Sequence, residues 1–487
     1  MNGSGNLLRL TARAFTSLGL NLRQSSCWTK TVGVMGPSPT NPRDPSPELV
    51  SQLGKPPKMR RDPAFKKISS PEFQSIFTPE LESLVSLFKK YDYELRIAGG
   101  AVRDILMNME PKDIDFATTA TPSQMKEMFE KEEVRMINAN GEKHGTITPR
   151  INDKENFEVT TLRIDIRTDG RHAEVVYTTD WQLDANRRDL TINSMFLGLD
   201  GTVYDYFYGY DDLQDRRVVF VGDADIRIKE DYLRILRYFR FYGRIAKDSN
   251  SHDEATLEAV KDNAAGLARI SGERIWAELQ KIVVGNFGSD LLLEMNRCHL
   301  FEYIGLPVKP NLEEFERLCK ALERFEKPHY PILYMSGMLN SVNDAMDMHN
   351  RLKLSAYERD LALFITQQRE KVDTDYKSIR DYQKLCIQPN VNRDYVEQLL
   401  KYTNKLDLYQ QLKSWPKPSF PVNGHALSSL GLKGKKVGQV MNELKLHWAD
   451  SDFKSTSEDL LKLVPDILAK LPSPPGSPNK NKRAKQH

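Results

Sequence analysis

The sequence predicts an α+β head followed by an all-α remainder. Two observations carry this. Residues 93–222 hold a series of short β-like runs separated by turn signals, and from about residue 223 onward apolar residues recur at three- and four-residue spacing. The Pro- and Ser-rich ends of the chain mark where the folded part begins and stops.

Residues 1–43 contain no Asp or Glu, while Arg9, Arg13, Arg23 and Lys30 are interleaved with Leu, Phe and many Ser and Thr. This composition predicts a mitochondrial transit peptide and a mitochondrial matrix protein. Arg9 and Arg13 interrupt the apolar core that a secretory signal requires. Initiation at Met35 or Met59 would give a form without this segment, for the cytosol and nucleus. Residues 36–63 are rich in Pro and Ser, and a linker is placed at 44–69. The end of the chain is similar, and a disordered basic tail is expected over 472–487.

The head, 70–222, is expected to be built from the runs YELRIA, KDIDFAT, EVRMINA, HGTITPRI, NFEVTTLRI, AEVVYTT and VVFVG. Helices are expected at 101–109, 122–131 and 182–197. Thr121-Pro122 offers a capping hydroxyl followed by Pro in the first turn. The helical remainder reads as a neck (223–285), a body (286–395) and a tail (396–471). Its amphipathic runs include KEDYLRILRYFRFYGRIA, TLEAVKDNAAGLARI, ERIWAELQKIVVG and EEFERLCKALERF.

Composition narrows the function classes. No stretch approaches the ~20 apolar residues needed to span a bilayer, so no membrane partner is expected. Cys27, Cys298, Cys319 and Cys386 are scattered, without zinc-site spacing or a disulfide framework. The net charge of +3 is neutral on the question of a nucleic-acid partner.

Gly99-Gly100 lies between a strand-like run and a helix, where backbone N–H groups can approach a phosphate, and Arg103 in the helix that follows can add a charge. Many Gly-Gly turns simply turn. Asp113-Ile114-Asp115 alternates along a strand-like run, placing two carboxylates on one face. They would repel unless a cation sits between them, and hard oxygen ligands suit Mg²⁺. Two such ions could clamp a phosphoryl transfer. A lone pair of this kind is equally the polar face of an edge strand.

The combination is more specific. Gly99-Gly100, twelve residues, then Asp113-Ile114-Asp115 resembles the signature of the DNA polymerase β-like nucleotidyltransferase superfamily. That superfamily has a third carboxylate on a later strand. Glu158 alternates correctly for it, with Asp165 and Asp169 as competitors. GGAVRD (99–104) and DIDFAT (113–118) resemble the first motif of class II CCA-adding enzymes, and RRDLTINSM (187–195) the second. LRIDIRTDGRH (162–172) resembles their flexible-loop region, EDYLRILRYFR (230–240) their EDxxRxxR motif and SGERIWAEL (271–279) the segment after it.

The resemblance covers about 99–280 and is nearest the eukaryotic mitochondrial-type form. It implies addition of C, C and A to tRNA from CTP and ATP, and that Arg188 contacts the nucleotide. The expected site is Asp113, Asp115 and Glu158 for catalysis, with Asp113 and Asp115 holding two Mg²⁺ ions. Gly99, Gly100, Arg103, Arg188, Asn193, Asp231, Arg234, Arg237 and Arg240 are expected to bind nucleotide. Asn193 is read one helical turn beyond Arg188, and Arg187 as either a phosphate ligand or one member of a surface ion pair.

Asp231 and Arg234 are three apart, so one helix face would set acceptors beside donors. Cytosine and adenine both offer an amino donor next to a ring-nitrogen acceptor, which such a pair could read without a template. An ordinary salt bridge on an amphipathic helix has the same spacing. Lys433, Lys435 and Lys436 in the tail are expected to meet tRNA phosphates. A poly(A) polymerase would share the head and neck motifs but carry a basic-aromatic strand where this chain reads EKHGTITPRI. A non-catalytic RNA-binding relative need not keep both aspartates. The sequence leaves monomer and homodimer equally open.

Overall fold

The computed structural model describes residues 58–137, 139–168 and 173–471. The expected transit peptide, most of the linker, Cys27, Asp169 and the basic tail lie outside them. The described residues form two compact units. One runs to Val308 and includes Met348–Leu354; the other comprises Lys309–Asp347 and the chain from Ser355.

The first unit opens with a mixed sheet. Its strands are β1 (Ala64–Lys67), β2 (Leu95–Ala98), β3 (Asp115–Thr118), β4 (Arg135–Ile137), β5 (Thr146–Ile151), β6 (Glu155–Asn156), β7 (Glu158–Thr161), β10 (Phe196–Gly198) and β11 (Thr202–Tyr204). The order is β1-β11-β10-β2-β3-β7-β5-β4, with β6 paired to β5. Strands β8 (Arg163–Thr168) and β9 (Ala173–Tyr177) form a separate hairpin. Among the described strands only β3 and β7 pair in parallel.

The head's helices follow from local signals. Helix α1 (Pro79–Lys90) has Thr78 as its cap, Pro at the first turn, and Leu81, Leu84 and Phe88 on its buried stripe. Helix α2 (Gly100–Leu106) follows the glycine turn. Helix α3 (Pro122–Lys131) has the capping box of Thr121 and Gln124, and buries Met125, Met128 and Phe129. Phe88 meets Phe129 edge-on at 6.0 Å. Fully burying one such ring stabilises by about 1.5–3 kcal/mol. The other sheet face carries Ala98, Ala117, Trp181, Ala185 and Phe196, with Met59 packed against them.

Three expectations are corrected here. The segment read as one helix over 182–197 is a short helix α4 (Trp181–Asn186), a 3₁₀ turn at Thr191–Asn193 and strand β10. Asp189 turns its carboxylate onto the N–H of Leu190 (2.9 Å), ending any helical continuation. VVFVG makes only an isolated bridge, Leu190 with Phe220, because Phe220 stacks on Tyr238 at 5.8 Å instead of joining the sheet. Strand β1 falls inside the stretch read as linker. It pairs with β11, and Arg60 just before it donates to Asp205 at 3.1 Å. The Asp205 side chain is wholly buried and also accepts N–H groups from Phe207, Gly209 and Tyr210.

After residue 222 every described element is helical. The first unit continues with α5 (Ala224–Glu230), α6 (Arg234–Ile245) and α7 (Gly272–Val283). The second unit packs α8 (Leu312–Leu322), α9 (Ala356–Gln368) and α10 (Arg393–Tyr402) together. It also has a separate core around α11 (Lys435–Asp450), in which Val440, Leu444 and Trp448 join Leu427, Val464 and Ile467. No described helix is long and apolar enough to cross a membrane. Cys298 and Cys386 are buried, and Cys319 is partly so.

Candidate active site

The glycine turn stands at the end of β2. Gly99 has φ 68° and ψ −125°, a conformation that side chains with a Cβ rarely adopt, and a Cβ built there would touch nothing within 4 Å. Backbone, not crowding, therefore requires glycine, and the space above the turn is open. Arg103 lies against the turn, its guanidinium 3.6 Å from a Cβ built at Gly100. It is buried, donates to the side-chain oxygen of Asn193 at 2.6 Å and lies over the Phe241 ring at 4.9 Å. Burial, followed by the charge of Arg244, lowers its pKa to about 10, so it stays charged at neutral pH.

Three carboxylates gather at the adjoining strand ends. Asp115 is the first residue of β3 and Glu158 the first of β7, and they are direct partners in the parallel register. Asp113 lies in the bend before β3, so the two aspartates do not share a strand face by alternation as expected. They are nonetheless close enough to feel each other. Burial, then Glu158, then Asp113 raise the Asp115 carboxyl above its ordinary value, and Arg188 opposes them.

Asp165 pairs with Val175 in the β8–β9 hairpin, outside this register, while Asp169 lies outside the described residues; Glu158 is the acid set beside Asp115. Mutually repelling oxygens of this kind fit a hard divalent cation. Among the described residues no three His, Cys, Asp or Glu side chains form a ready metal cage.

Behind the carboxylates lies an arginine network. The buried Asp184 accepts from Arg187 (2.8 Å), twice from Arg188 (3.2 and 3.0 Å) and from the backbone N–H of Arg163 at the hairpin base (3.1 Å). Arg188 also donates to the Asn193 carbonyl at 3.1 Å, so Arg188 and Asn193 meet through a turn and not along a helix. The Asn193 amide donates to Asp189 (3.2 Å), which also takes Arg237 (2.6 Å). Arg240 grips Glu278 with two contacts of 3.1 Å.

Burial pushes Asp184 and Asp189 up, but the arginines prevail, and Asp189 falls to about 2. A depressed carboxylate contributes stability above its unfolded pKa and loses it as pH falls through the folded one, so this network should loosen below about pH 4. Asp184→Ala should cost about 3–5 kcal/mol, because it leaves two arginines without their buried partner. A urea titration checks this, and a loss within experimental error would show that Asp184 is dispensable.

The expected nucleotide-reading helix is broken. Helix α5 ends at Glu230, Asp231 is extended (φ −152°, ψ 107°), and α6 starts at Arg234. Asp231 caps this corner by accepting the N–H of Leu233 (3.1 Å), and its other oxygen takes Arg274 (2.8 Å). Arg234 pairs with Glu230 and donates to the carbonyls of Arg187 (2.8 Å) and Arg227 (3.1 Å). Asp231 and Arg234 therefore share a corner, each with its own partner, and not one face of a continuous helix.

Residues 95–219 match the family model described as the poly A polymerase head domain, and 252–313 that described as a probable RNA and SrmB binding site of polymerase A. The human CCA tRNA nucleotidyltransferase 1, mitochondrial, is 50% identical over 405 residues, covering 82% of this chain and 92% of that protein. The chain belongs to the CCA tRNA nucleotidyltransferase family. The Geobacillus CCA-adding enzyme is 34% identical over 244 residues, half of this chain and 57% of its own length. Across 82% of this nucleotidyltransferase and 98% of the other chain, the fold matches a Bacillus stearothermophilus CCA-adding enzyme solved with CTP. The TM-score is 0.63 and the identity 23%, which shows the shared fold. The chain is a nucleotidyltransferase, and the poly(A) polymerase reading gives way to CCA addition.

The sequence did not single out the residues that steady this nucleotidyltransferase's arginines and Asp231. Arg274 and Glu278 stand one turn apart on α7, each just before a buried residue, Ile275 and Leu279, and that spacing was the available signal. Asp184 stands in the sequence as one more acid shortly before Arg187 and Arg188, with nothing local to mark its burial.

Proposed function

We propose that the chain completes the 3′ end of tRNA with C, C and A, taking CTP and ATP in turn and releasing pyrophosphate. The pairing of Asp115 with Glu158, with Asp113 beside them and the open Gly99 turn at the end of the neighbouring strand, carries this reading. The tRNA 3′-oxygen bonds to the α-phosphorus, the bond to the bridging oxygen breaks, and pyrophosphate leaves. Mg²⁺, in two ions held by Asp113 and Asp115, would stabilise negative charge on the phosphate oxygens. Glu158 orients the attacking hydroxyl and is placed to take its proton. The backbone at Gly99 and Gly100 receives the triphosphate, and Arg188 adds charge from the Asp184 side. Arg103 and Asn193, bonded to each other, brace that wall.

The corner at Asp231 and Arg234 selects the base, with Arg237 and Arg240 behind it. In this reading 223–285 is the selecting neck, 286–395 the body and 396–471 a tail whose exposed Lys433, Lys435 and Lys436 meet tRNA phosphates. The acid-free first 43 residues and the mitochondrial relatives favour action in mitochondria.

The test supplies tRNA lacking its last three nucleotides with each NTP separately, then with CTP and ATP together. Addition of C, C and A followed by a stop is the expected result. A long A tail, or no incorporation, would overturn the reading.

A further inference from the structure

The geometry points to a second anionic subsite in the head, formed by Arg135 and Arg150, that receives the phosphate backbone of the RNA strand entering the carboxylate site. It rests on the tRNA reading above. Arg135 on β4 and Arg150 on β5 are direct cross-strand partners. Like charges placed directly opposite on one sheet face destabilise it. Arg150 is steadied by the Asn156 side-chain oxygen at 3.0 Å. Arg135 is exposed, and among the described residues its side chain makes no hydrogen bond or ion pair.

The face is the informative part. Arg150 pairs with Asn156, two residues before Glu158, and Glu158 pairs with Asp115. Phe116, Ile147, Ile151, Phe157 and Val159 are buried on one side. Asp115, Glu158, Asn156, Arg150 and Arg135 lie on the other. Arg135 on β4 stands three strand spacings from Asp115 on β3, roughly 15 Å, and Arg150 on β5 two, roughly 10 Å.

The Gly99 turn, where the triphosphate is received, lies on the opposite side of β3, at the end of β2. A strand of phosphates that ends at Asp115 and runs back over β7 and β5 would meet Arg150 and Arg135 in turn. Such a strand also neutralises the pair's mutual repulsion. Because β4 is the sheet's edge, the competing explanation is that charge there merely prevents edge-to-edge pairing.

Binding of fluorescent tRNA lacking CCA, measured against salt, separates these readings without requiring turnover. Arg135→Ala and Arg150→Ala should each reduce the slope of log K against log salt by about 0.7–0.9, and weaken binding about fivefold at 0.15 M salt. Arg135→Lys should restore both. KM for CTP and the turnover rate at saturating tRNA should stay within about twofold, and the melting temperature should hold or rise as the repulsion is removed.

An unchanged salt slope with unchanged tRNA affinity would overturn the proposal in favour of edge protection. A weakened CTP affinity with tRNA binding intact would move the arginines to the triphosphate and overturn it as well. If wild-type protein binds this tRNA no better than a random RNA, the tRNA reading itself fails.

Discussion

Asp115→Asn should reduce nucleotide incorporation about a thousandfold or more while making the metal-free protein more stable. The activity loss follows from removing a charge at which a divalent ion would stabilise the transferring phosphate, an effect of several kcal/mol at about 1.4 kcal/mol per tenfold in rate. The gain in stability follows from Asp115's surroundings. Burial, Glu158 and Asp113 raise its carboxyl above the usual value near 3.8. A carboxylate raised on folding stabilises fully only below its unfolded pKa, and loses that contribution as pH climbs through the folded value. Ionising Asp115 therefore carries a cost that asparagine avoids.

Single-turnover incorporation of CTP gives the first quantity. Thermal unfolding with and without Mg²⁺ gives the second. Wild type should melt higher when Mg²⁺ is added, and the variant should respond much less. A variant that is active, or that destabilises the metal-free protein, would show that Asp115 serves the fold instead of the reaction.

The second large effect is on choice of base. Asp231→Ala should lower the preference for CTP and ATP over UTP and GTP by about 10- to 100-fold, the worth of one good paired contact to a base edge. Asp231 is positioned to act as an acceptor because the Leu233 N–H and Arg274 fix its carboxylate at the corner. Arg234 is fixed separately by Glu230 and by two carbonyls, one of them in the head at Arg187. Arg234→Ala should therefore also lose discrimination, while leaving the Asp231 contacts in place. Comparing kcat/KM for the four nucleotides decides the matter. Equal loss for all four would mean the corner only shapes the pocket.

Much of the head was legible in the sequence because its signals are local. The capping box of Thr121 and Gln124 set helix α3, and alternation around Phe157-Glu158-Val159 put Glu158 on the face away from the core. The structure adds the register, which sets Glu158 beside Asp115 and puts Asp165 in the β8–β9 hairpin. The break at Asp231 was hidden because Tyr232, Ile235, Leu236 and Phe239 continue a helical apolar pattern straight through it. Strands β10 and β11 have three residues each, too few to show a period. The arginine partners were invisible for another reason. Arg237 meets Asp189 across 48 positions and Arg103 meets Asn193 across 90, and no local pattern reports such pairs.

The Arg60–Asp205 contact bears on how the amino terminus can be trimmed. Asp205 has no exposure to water, so a protease that removed Arg60 would leave a buried acid facing only backbone N–H groups. Cleavage anywhere before Met59 spares that contact, and so does translation begun at Met59. Cleavage a few residues later would also strip β1 from the sheet and expose the edge of β11. A form shortened past Arg60 should therefore melt at a lower temperature than one that begins at Met59.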